Sequence, residues 1–186
     1  MVAGSIGGVS SATRAAWDAD ICARIASLEE FAVAEQLIAY LALSDEPSLT
    51  VLLELAIEEG KTIFVPLVDR GDSLTMYRWT PADGTEIGAY AAWTPSVREG
   101  PAVRPSLSLV PGRAFDVGGH RVGRGKGCYD RAMDALEALG LTVGTAYDCQ
   151  LFDAVPRRVH DRSVGCVVTP SRTIWPARVR SGPEAG

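Results

Sequence analysis

The stretch Leu37–Val68, LIAYLALSDEPSLTVLLELAIEEGKTIFVPLV, decides the fold. Its first seven residues, Leu37 to Leu43, are all apolar, which is the pattern of a strand covered on both faces. Ser44-Asp45-Glu46-Pro47 breaks the run, and Ser48 caps a predicted helix that continues to Glu59. Leu49, Leu52, Leu53 and Ala56 share one face of that helix, and Gly60 stops it. A second apolar strand, Thr62 to Val68, follows, and its Pro66 predicts a strand end or bulge because proline offers no N–H to a ladder.

The same alternation extends in both directions. Upstream, Trp17, Ile21, Ile25 and Leu28 recur at helical spacing from about Ser11, with Arg14, Asp18, Asp20 and Arg24 on other faces. Downstream, Leu74–Trp79 alternates as a strand, and Pro81–Pro105 is rich in Gly, Pro and Ala and predicts loop. Strands are predicted at Leu107–Pro111, Thr142–Tyr147 and Ser163–Thr169, with a helix at Tyr129–Leu139 that Gly140 ends. Apolar strands alternating with amphipathic helices predict an α/β fold: three layers, a mostly parallel sheet with helices on both faces, Rossmann-like, in one domain. We expect that domain to span residues 11–175, with residues 1–10 and 176–186 as flexible ends. Such sheets bind ligands at the carboxyl ends of their strands. Two polar segments follow strands in this way, Ser44–Pro47 and Gly112–Gly127.

Composition narrows the function classes. The 186 residues are 47% hydrophobic and 22% charged, an ordinary globular balance that supports a core without staples. Acidic groups (23) outnumber basic ones (18), for a net charge of −5, which argues against a general nucleic-acid or membrane-surface binder. The longest apolar run is too short to span a bilayer, and the first residues carry no secretory pattern. Cys22, Cys128, Cys149 and Cys166 form no CxxC pair, and His120 and His160 are the only histidines. All four thiols read as reduced, with Cys22, Cys149 and Cys166 as buried small hydrophobes. This reading gives a cytoplasmic protein, and we separately expect a monomer.

The densest chemical signal is Pro111–Arg131, PGRAFDVGGHRVGRGKGCYDR. Gly123, Gly125 and Gly127 alternate with Arg124 and Lys126 just before a helix. Glycines let the backbone approach a ligand and point its amides at it, and the helix start adds a partial positive end. The segment carries five basic residues against two acidic ones, so it is a candidate anion site within an acidic chain, most naturally for a phosphate chain. Its plainer reading is a flexible solvated loop, from which the strict alternation at a strand-to-helix junction turns the balance toward function. It is not a Walker loop, since His120 stands where the first glycine belongs and Gly127 follows the lysine. It is not a dinucleotide fingerprint either, since Cys128 stands where the last glycine of GxGxxG falls.

VPGRAFDVGGHRVGRGKGCYDR resembles the signature of the 5-formyltetrahydrofolate cyclo-ligase family, which runs roughly PG-x-x-F-D-x-x-G-x-R-L-G-x-G-x-G-Y-Y-D. Ser44-Asp45-Glu46 is similar to that family's acidic, substrate-facing loop, and Gln150–Asp161 (QLFDAVPRRVHD) to its Q…VP…HD segment. MYRWTP, at Met76–Pro81, is also similar to bacterial members, and the likeness runs from about Ser11 to Thr169.

The resemblance implies ATP-dependent conversion of 5-formyltetrahydrofolate to 5,10-methenyltetrahydrofolate with Mg²⁺. It implies an ATP site at Arg121, Gly123, Arg124, Gly125, Lys126, Gly127, Cys128 and Tyr129, with Arg124 and Lys126 acting on the phosphates. It implies a folate site at Leu41 and Glu46 that shares Arg124, Gly125, Lys126, Gly127 and Cys128, and metal carboxylates at Asp130 and Asp161. His160 would neighbour the metal acid, and Gln150 and Phe152 are weaker candidates. Read without the resemblance, Asp130 is a helix N-terminal acid, Asp161 a surface loop acid, Glu46 a solvated loop acid and Tyr129 a core aromatic. Three segments depart from the family pattern. The family's N-terminal Lys-x-x-x-Arg pair is missing ahead of Ser11, Cys128 replaces a tyrosine, and Trp93–Gly100 replaces a Gly-Ile-x-x-Pro loop. The alternatives are a non-catalytic paralogue that retains folate or nucleotide binding and, more distantly, a phosphosugar-binding domain on a similar sheet.

Overall fold

The computed structural model describes residues 6–68, 74–83, 100–101, 104, 106–158 and 161–177. Helix α1 (Ser11–Ala26) is capped by Ser10, whose Oγ accepts from the N–H of Thr13 at 3.1 Å. A short helix α2 (Glu29–Val33) leads into strand β1 (Gln36–Ile38), and helix α3 (Thr50–Glu58) connects β1 to β2 (Thr62–Val68). Strands β3 (Leu74–Trp79), β4 (Ser106–Pro111), β5 (Ala114–Asp116) and β6 (Arg121–Val122) precede helix α4 (Cys128–Leu139). Strands β7 (Gly140–Thr145), β8 (Leu151–Phe152), β9 (Cys166–Val168) and β10 (Thr173–Ile174) complete the described elements.

Among the described residues the main sheet has seven strands in the order β10-β9-β7-β4-β1-β2-β3. The five inner strands are parallel, and β10 and β3 close the edges antiparallel. Side chains alternate across it. Leu37, Ile63, Val65, Leu107, Leu109 and Val143 face α1 and α3, where Ile21, Ile25, Leu52, Leu53 and Ala56 cover them. Ile38 and Phe64 face the other way, onto Leu136 of α4, and Val110 meets Met133 of the same helix. The three-layer α/β fold with helices on both faces is therefore present. Ile6, ahead of α1, packs against the larger core.

β1 and β4 are neighbours, yet the chain leaves them in opposite directions, through α3 to β2 and through α4 to β7. Their following loops consequently diverge and leave a crevice at the carboxyl edge, the position where such sheets take ligands.

Several expected elements are corrected. The apolar run Leu37–Leu43 pairs in the sheet only as far as Ile38. Its last ladder bond runs from the N–H of Ala39 to the Phe64 carbonyl at 2.8 Å, and the chain then crosses the carboxyl edge. Ser48 does not cap α3. The helix starts at Thr50 with Leu49 in the cap position, and the N–H of Ser48 bonds Asp18 Oδ1 at 3.1 Å instead. Pro66 lies inside β2 and not at its end. The last register pair of β1 with β2 is at Phe64, while Pro66 is in register with Met76 of β3, so its missing N–H breaks no bond to β1.

The predicted strand Thr142–Tyr147 shifts to Gly140–Thr145, and Tyr147 begins a 3₁₀ turn at Asp148–Gln150. The strand expected at Ser163–Thr169 shortens to Cys166–Val168. The glycine-rich segment is not plain loop, because β5 and β6 form a hairpin and β5 pairs with β8 in a second small sheet. Of the expected loop Pro81–Pro105, Pro81–Asp83 form a 3₁₀ turn, while residues 84–99 lie outside the described residues, as does His160. All four cysteines are free, but Cys149 is exposed on its turn and not buried. No helix among the described residues is long and apolar enough to cross a membrane.

Candidate active site

The residues expected to hold ATP, folate or the metal line one cavity of about 740 Å³ at the carboxyl edge of the sheet, whereas the weaker candidates Gln150 and Phe152 do not line it and His160 lies outside the described residues. Leu41 and Glu46 come from the loop after β1. Arg121 and residues 123–130 come from β6, the glycine loop and the start of α4, and Asp161 comes from the segment after β8. Pro66 and Val68 of β2 and Leu74 of β3 add an apolar wall.

The backbone of the loop is built for close approach. Gly125 and Gly127 have φ of 87° and 65°, the left-handed region that other residues enter only with strain. A Cβ at Gly125 would meet nothing within 4 Å, so the loop is open to the cavity there. Gly127 occupies the cap position of α4 without a capping side chain, and Asp130 lies in the first turn, where an acid complements the helix dipole. Lys126 is exposed between these glycines.

Arg121 is the buried member of the cationic set. Its Nη2 donates to Asp130 Oδ1 at 2.8 Å, and its guanidinium carbon lies 5.5 Å from the centre of the Tyr129 ring. A side chain at residue 123 would collide with Arg121 Nη1, 2.8 Å from an ideal Cβ, so Gly123 makes room for that guanidinium. Arg121 Nε is buried without a hydrogen-bond partner among the described residues, an unspent donor of the kind an anionic ligand satisfies. The Tyr129 ring packs against the core around α4 and also lines the cavity. Cys128 is buried, with Arg131 Nη2 3.9 Å from its sulfur.

Arg124 reaches across the cavity to the other loop. Its Nη2 pairs with Asp45 and lies 3.4 Å from Glu46 Oε1. Glu46 is 5% exposed, and its other oxygen accepts from the N–H of Leu43 at 2.9 Å. Burial raises the Glu46 carboxyl above its ordinary range, while the Leu43 N–H and Arg124 pull it back. Arg113 adds a longer contact, Nε to Asp45 Oδ2 at 3.8 Å.

A polar cluster missed in the sequence supports the Glu46 loop from behind. Tyr147 is fully buried and its hydroxyl donates to Asp18 Oδ1 at 2.7 Å. Arg14 donates through Nε to the same hydroxyl at 3.2 Å and through Nη2 to the Glu46 carbonyl at 3.3 Å. Gln150 donates to the Asp45 carbonyl at 3.0 Å and accepts from the N–H of Tyr147 at 2.9 Å, so it positions the acidic loop. Burial raises the Asp18 carboxyl above its ordinary range and Tyr147 and Ser48 moderate the rise. The sequence hints at this cluster only through Gln150, a weaker candidate, and the helical spacing of Arg14 and Asp18 on the polar side of α1.

Asp161 Oδ2 accepts from the N–H of Arg158 at 2.6 Å. No group of three or more His, Cys, Asp or Glu suited to a metal occurs among the described residues. Two carboxylates, Asp130 and Asp161, do line the cavity together. That donor set fits Mg²⁺, which takes one or two protein carboxylates and fills its remaining positions with water and phosphate oxygens.

Comparison with known proteins identifies the family. Residues 7–170 match the model of the 5-formyltetrahydrofolate cyclo-ligase family. The chain belongs to that family. A 5-formyltetrahydrofolate cyclo-ligase of Mycolicibacterium smegmatis is 31% identical over 147 residues, 73% of this chain and 74% of that protein. The mouse cyclo-ligase is 28% identical over 138 residues, 67% of this chain and 68% of its own length. A solved structure of the 5,10-methenyltetrahydrofolate synthetase of Aquifex aeolicus superposes with a TM-score of 0.73 at 29% identity, covering 96% of this chain and 89% of that one.

Proposed function

We propose that this cyclo-ligase family member closes 5-formyltetrahydrofolate to 5,10-methenyltetrahydrofolate at the expense of ATP, with both substrates in the one cavity. The observation that carries the reading is that the glycine–cation loop, the acidic loop and Asp161, far apart in the chain, line that single space.

The formyl oxygen of an amide is a poor leaving group. Transfer of the γ-phosphoryl group of ATP to that oxygen breaks the bond to ADP and makes the formyl carbon electrophilic. N10 of the folate attacks that carbon and gives up its proton, the carbon–oxygen bond breaks, and phosphate leaves with the former formyl oxygen. Lys126 and Arg124 meet the charge that spreads over the transferring group, the lysine as a compact charge and the arginine as a planar fork. Arg121, Gly123, Gly125, Gly127, Cys128 and Tyr129 form the ATP wall. Leu41 packs against the folate and Glu46 holds it by hydrogen bonds, sharing Arg124, Gly125, Lys126, Gly127 and Cys128 with the nucleotide. Asp130 and Asp161 would hold Mg²⁺, which supplies charge neutralisation on the phosphates when bound. Asp130 has an oxygen to spare for this, because Arg121 takes only Oδ1.

Incubation with 5-formyltetrahydrofolate and MgATP tests the reading. The methenyl absorbance appears, with one ADP and one phosphate for each ring closed. No absorbance change with MgATP, or an equal change without it, overturns the reading.

A further inference from the structure

A further cation reaches the cavity from outside the glycine loop. Arg157, on the segment that follows β8, lines it beside Arg158 and Asp161. Its Nη1 meets His120 Nε2 at 3.0 Å, and Nδ1 of the same ring meets Asp116 Oδ1 at 3.1 Å. A guanidinium has no acceptor to offer, so Nε2 is the accepting nitrogen and the Nδ1–H donates to Asp116. Asp116 is itself 4% exposed and takes the N–H groups of Gly118, His120 and Val155 at 2.9, 3.0 and 3.1 Å. An ideal Cβ on Gly118 would come 3.0 Å from His120 Nδ1, so the hairpin turn keeps clear the space that the ring occupies. A buried carboxylate thus fixes a tautomer, and the tautomer fixes an exposed guanidinium on the cavity rim.

A solvated surface arginine has no need of such an anchor, since its long side chain ordinarily keeps its rotamer freedom. Held still, its planar fork is ready for the oxygens of an anion. The direction of that anion follows from the loop. Arg157 lies four residues from Asp161, whose carboxylate is tied to the N–H of Arg158. Asp161 is the acid assigned above to the phosphate end of the cavity. We infer that Arg157 is a further substrate-binding residue that receives the phosphate chain of the nucleotide, and that His120 is its positioning residue. This rests on the ATP-dependent reading of the site.

Steady-state kinetics of the whole chain test it, with KM for ATP and for 5-formyltetrahydrofolate measured separately in R157A, R157K, H120A and the double variant R157A/H120A. R157A raises the KM for ATP about tenfold and that for the folate far less, in line with loss of one charge-assisted contact. R157K, which keeps the charge but loses the fork, recovers part of the loss. H120A raises the KM for ATP by a smaller factor, and the double variant is no worse than R157A, because histidine acts through arginine. An unchanged KM for ATP in R157A, or a rise confined to the folate and its glutamyl carboxylates, overturns the binding role. Additive losses in the double variant overturn the positioning role. If the wild-type protein closes no ring, the ATP reading itself falls, and calorimetric titration with tripolyphosphate then decides on Arg157. Weaker binding by R157A than by wild type supports the inference, and equal binding, or none by either, overturns it.

Discussion

Arg124 Nη2 lies 3.4 Å from Glu46 Oε1, so a cation of the glycine loop is paired with an acid of the loop after β1, 78 residues away in the chain. The same nitrogen also pairs with Asp45. A phosphate chain that takes the Nη2 end of the fork competes with both acids for it. On the proposed reading, nucleotide that draws Arg124 away frees the carboxylates of the loop to which folate is assigned. Coupling of this kind is reciprocal, so each ligand changes the affinity of the other by the same factor.

Glu46→Gln separates the two substrates. The amide oxygen still accepts from the N–H of Leu43, but the charge facing Arg124 is gone. We expect the KM for 5-formyltetrahydrofolate to rise about tenfold or more, as for loss of a charged contact, with a smaller change in ATP affinity. Equal losses for both substrates contradict the assignment.

The same variant has a stability signature. Burial holds the Glu46 carboxyl above the ordinary carboxylate range, so the folded state binds the proton more tightly than the unfolded chain does. Stability from this group is therefore full below the unfolded pKa and declines as pH rises through the raised folded one. Glu46→Gln melts higher than wild type at neutral pH, and the gap closes as pH falls below that range. A gap that stays constant with pH shows that the charge is fully compensated by Arg124.

Lys126→Ala reduces turnover by about a hundredfold or more while leaving the melting temperature near that of wild type, as for loss of an electrostatic contact to the transferring group. Lys126 is exposed between two glycines and contributes little packing. A large fall in melting temperature makes it a structural residue.

The two carboxylates assigned to Mg²⁺ behave differently when each is replaced. Asp161→Asn keeps an acceptor for the N–H of Arg158, so it weakens ATP affinity in Mg²⁺ and scarcely in EDTA, with little effect on melting. Asp130→Asn also removes the charge opposite buried Arg121 and lowers stability by about 1–3 kcal/mol. Calorimetric ATP titrations in both buffers, with melting curves, check this. The same loss in Mg²⁺ and EDTA removes Asp161 from the metal site.

Tyr147→Phe tests the support behind the acidic loop. It strips Asp18 of a 2.7 Å hydrogen bond in a largely buried cluster, which costs about 1–2 kcal/mol. Arg14 also loses its hydroxyl acceptor, and the carbonyl of Glu46 that it holds loses definition, so the KM for folate rises as well. Denaturant unfolding and folate kinetics measure the two effects. Loss of stability with unchanged folate KM limits the cluster to a core role.

What was legible in the sequence follows from the range of the forces. Runs such as Thr62–Val68 and the 3.6-residue period of α1 reflect burial of whole faces, which the pattern of apolar residues records locally. The strand Leu37–Leu43 was over-extended because the apolar residues after Ile38 are claimed by the cavity edge and the back of the loop, where Tyr40 bonds Thr145 Oγ1 at 2.7 Å. The hairpin of β5 and β6 was unreadable because its strands are only three and two residues long and are held by Asp116 side-chain bonds more than by period. At the site, the glycine–cation alternation points by its own chemistry to an anion-binding loop, the role proposed for it here. The Arg124–Glu46 pairing and the anchorage of Arg157 by His120 depend on contacts across 78 and 37 residues, which no local spacing encodes.

The most direct test of the central claim follows the formyl oxygen. With 5-formyltetrahydrofolate labelled with oxygen-18 at that atom and unlabelled MgATP, the released phosphate is analysed by mass spectrometry after a single turnover. Phosphoryl transfer onto the formyl oxygen in the shared cavity predicts that the inorganic phosphate carries the label. Label released to water, with unlabelled phosphate, contradicts it.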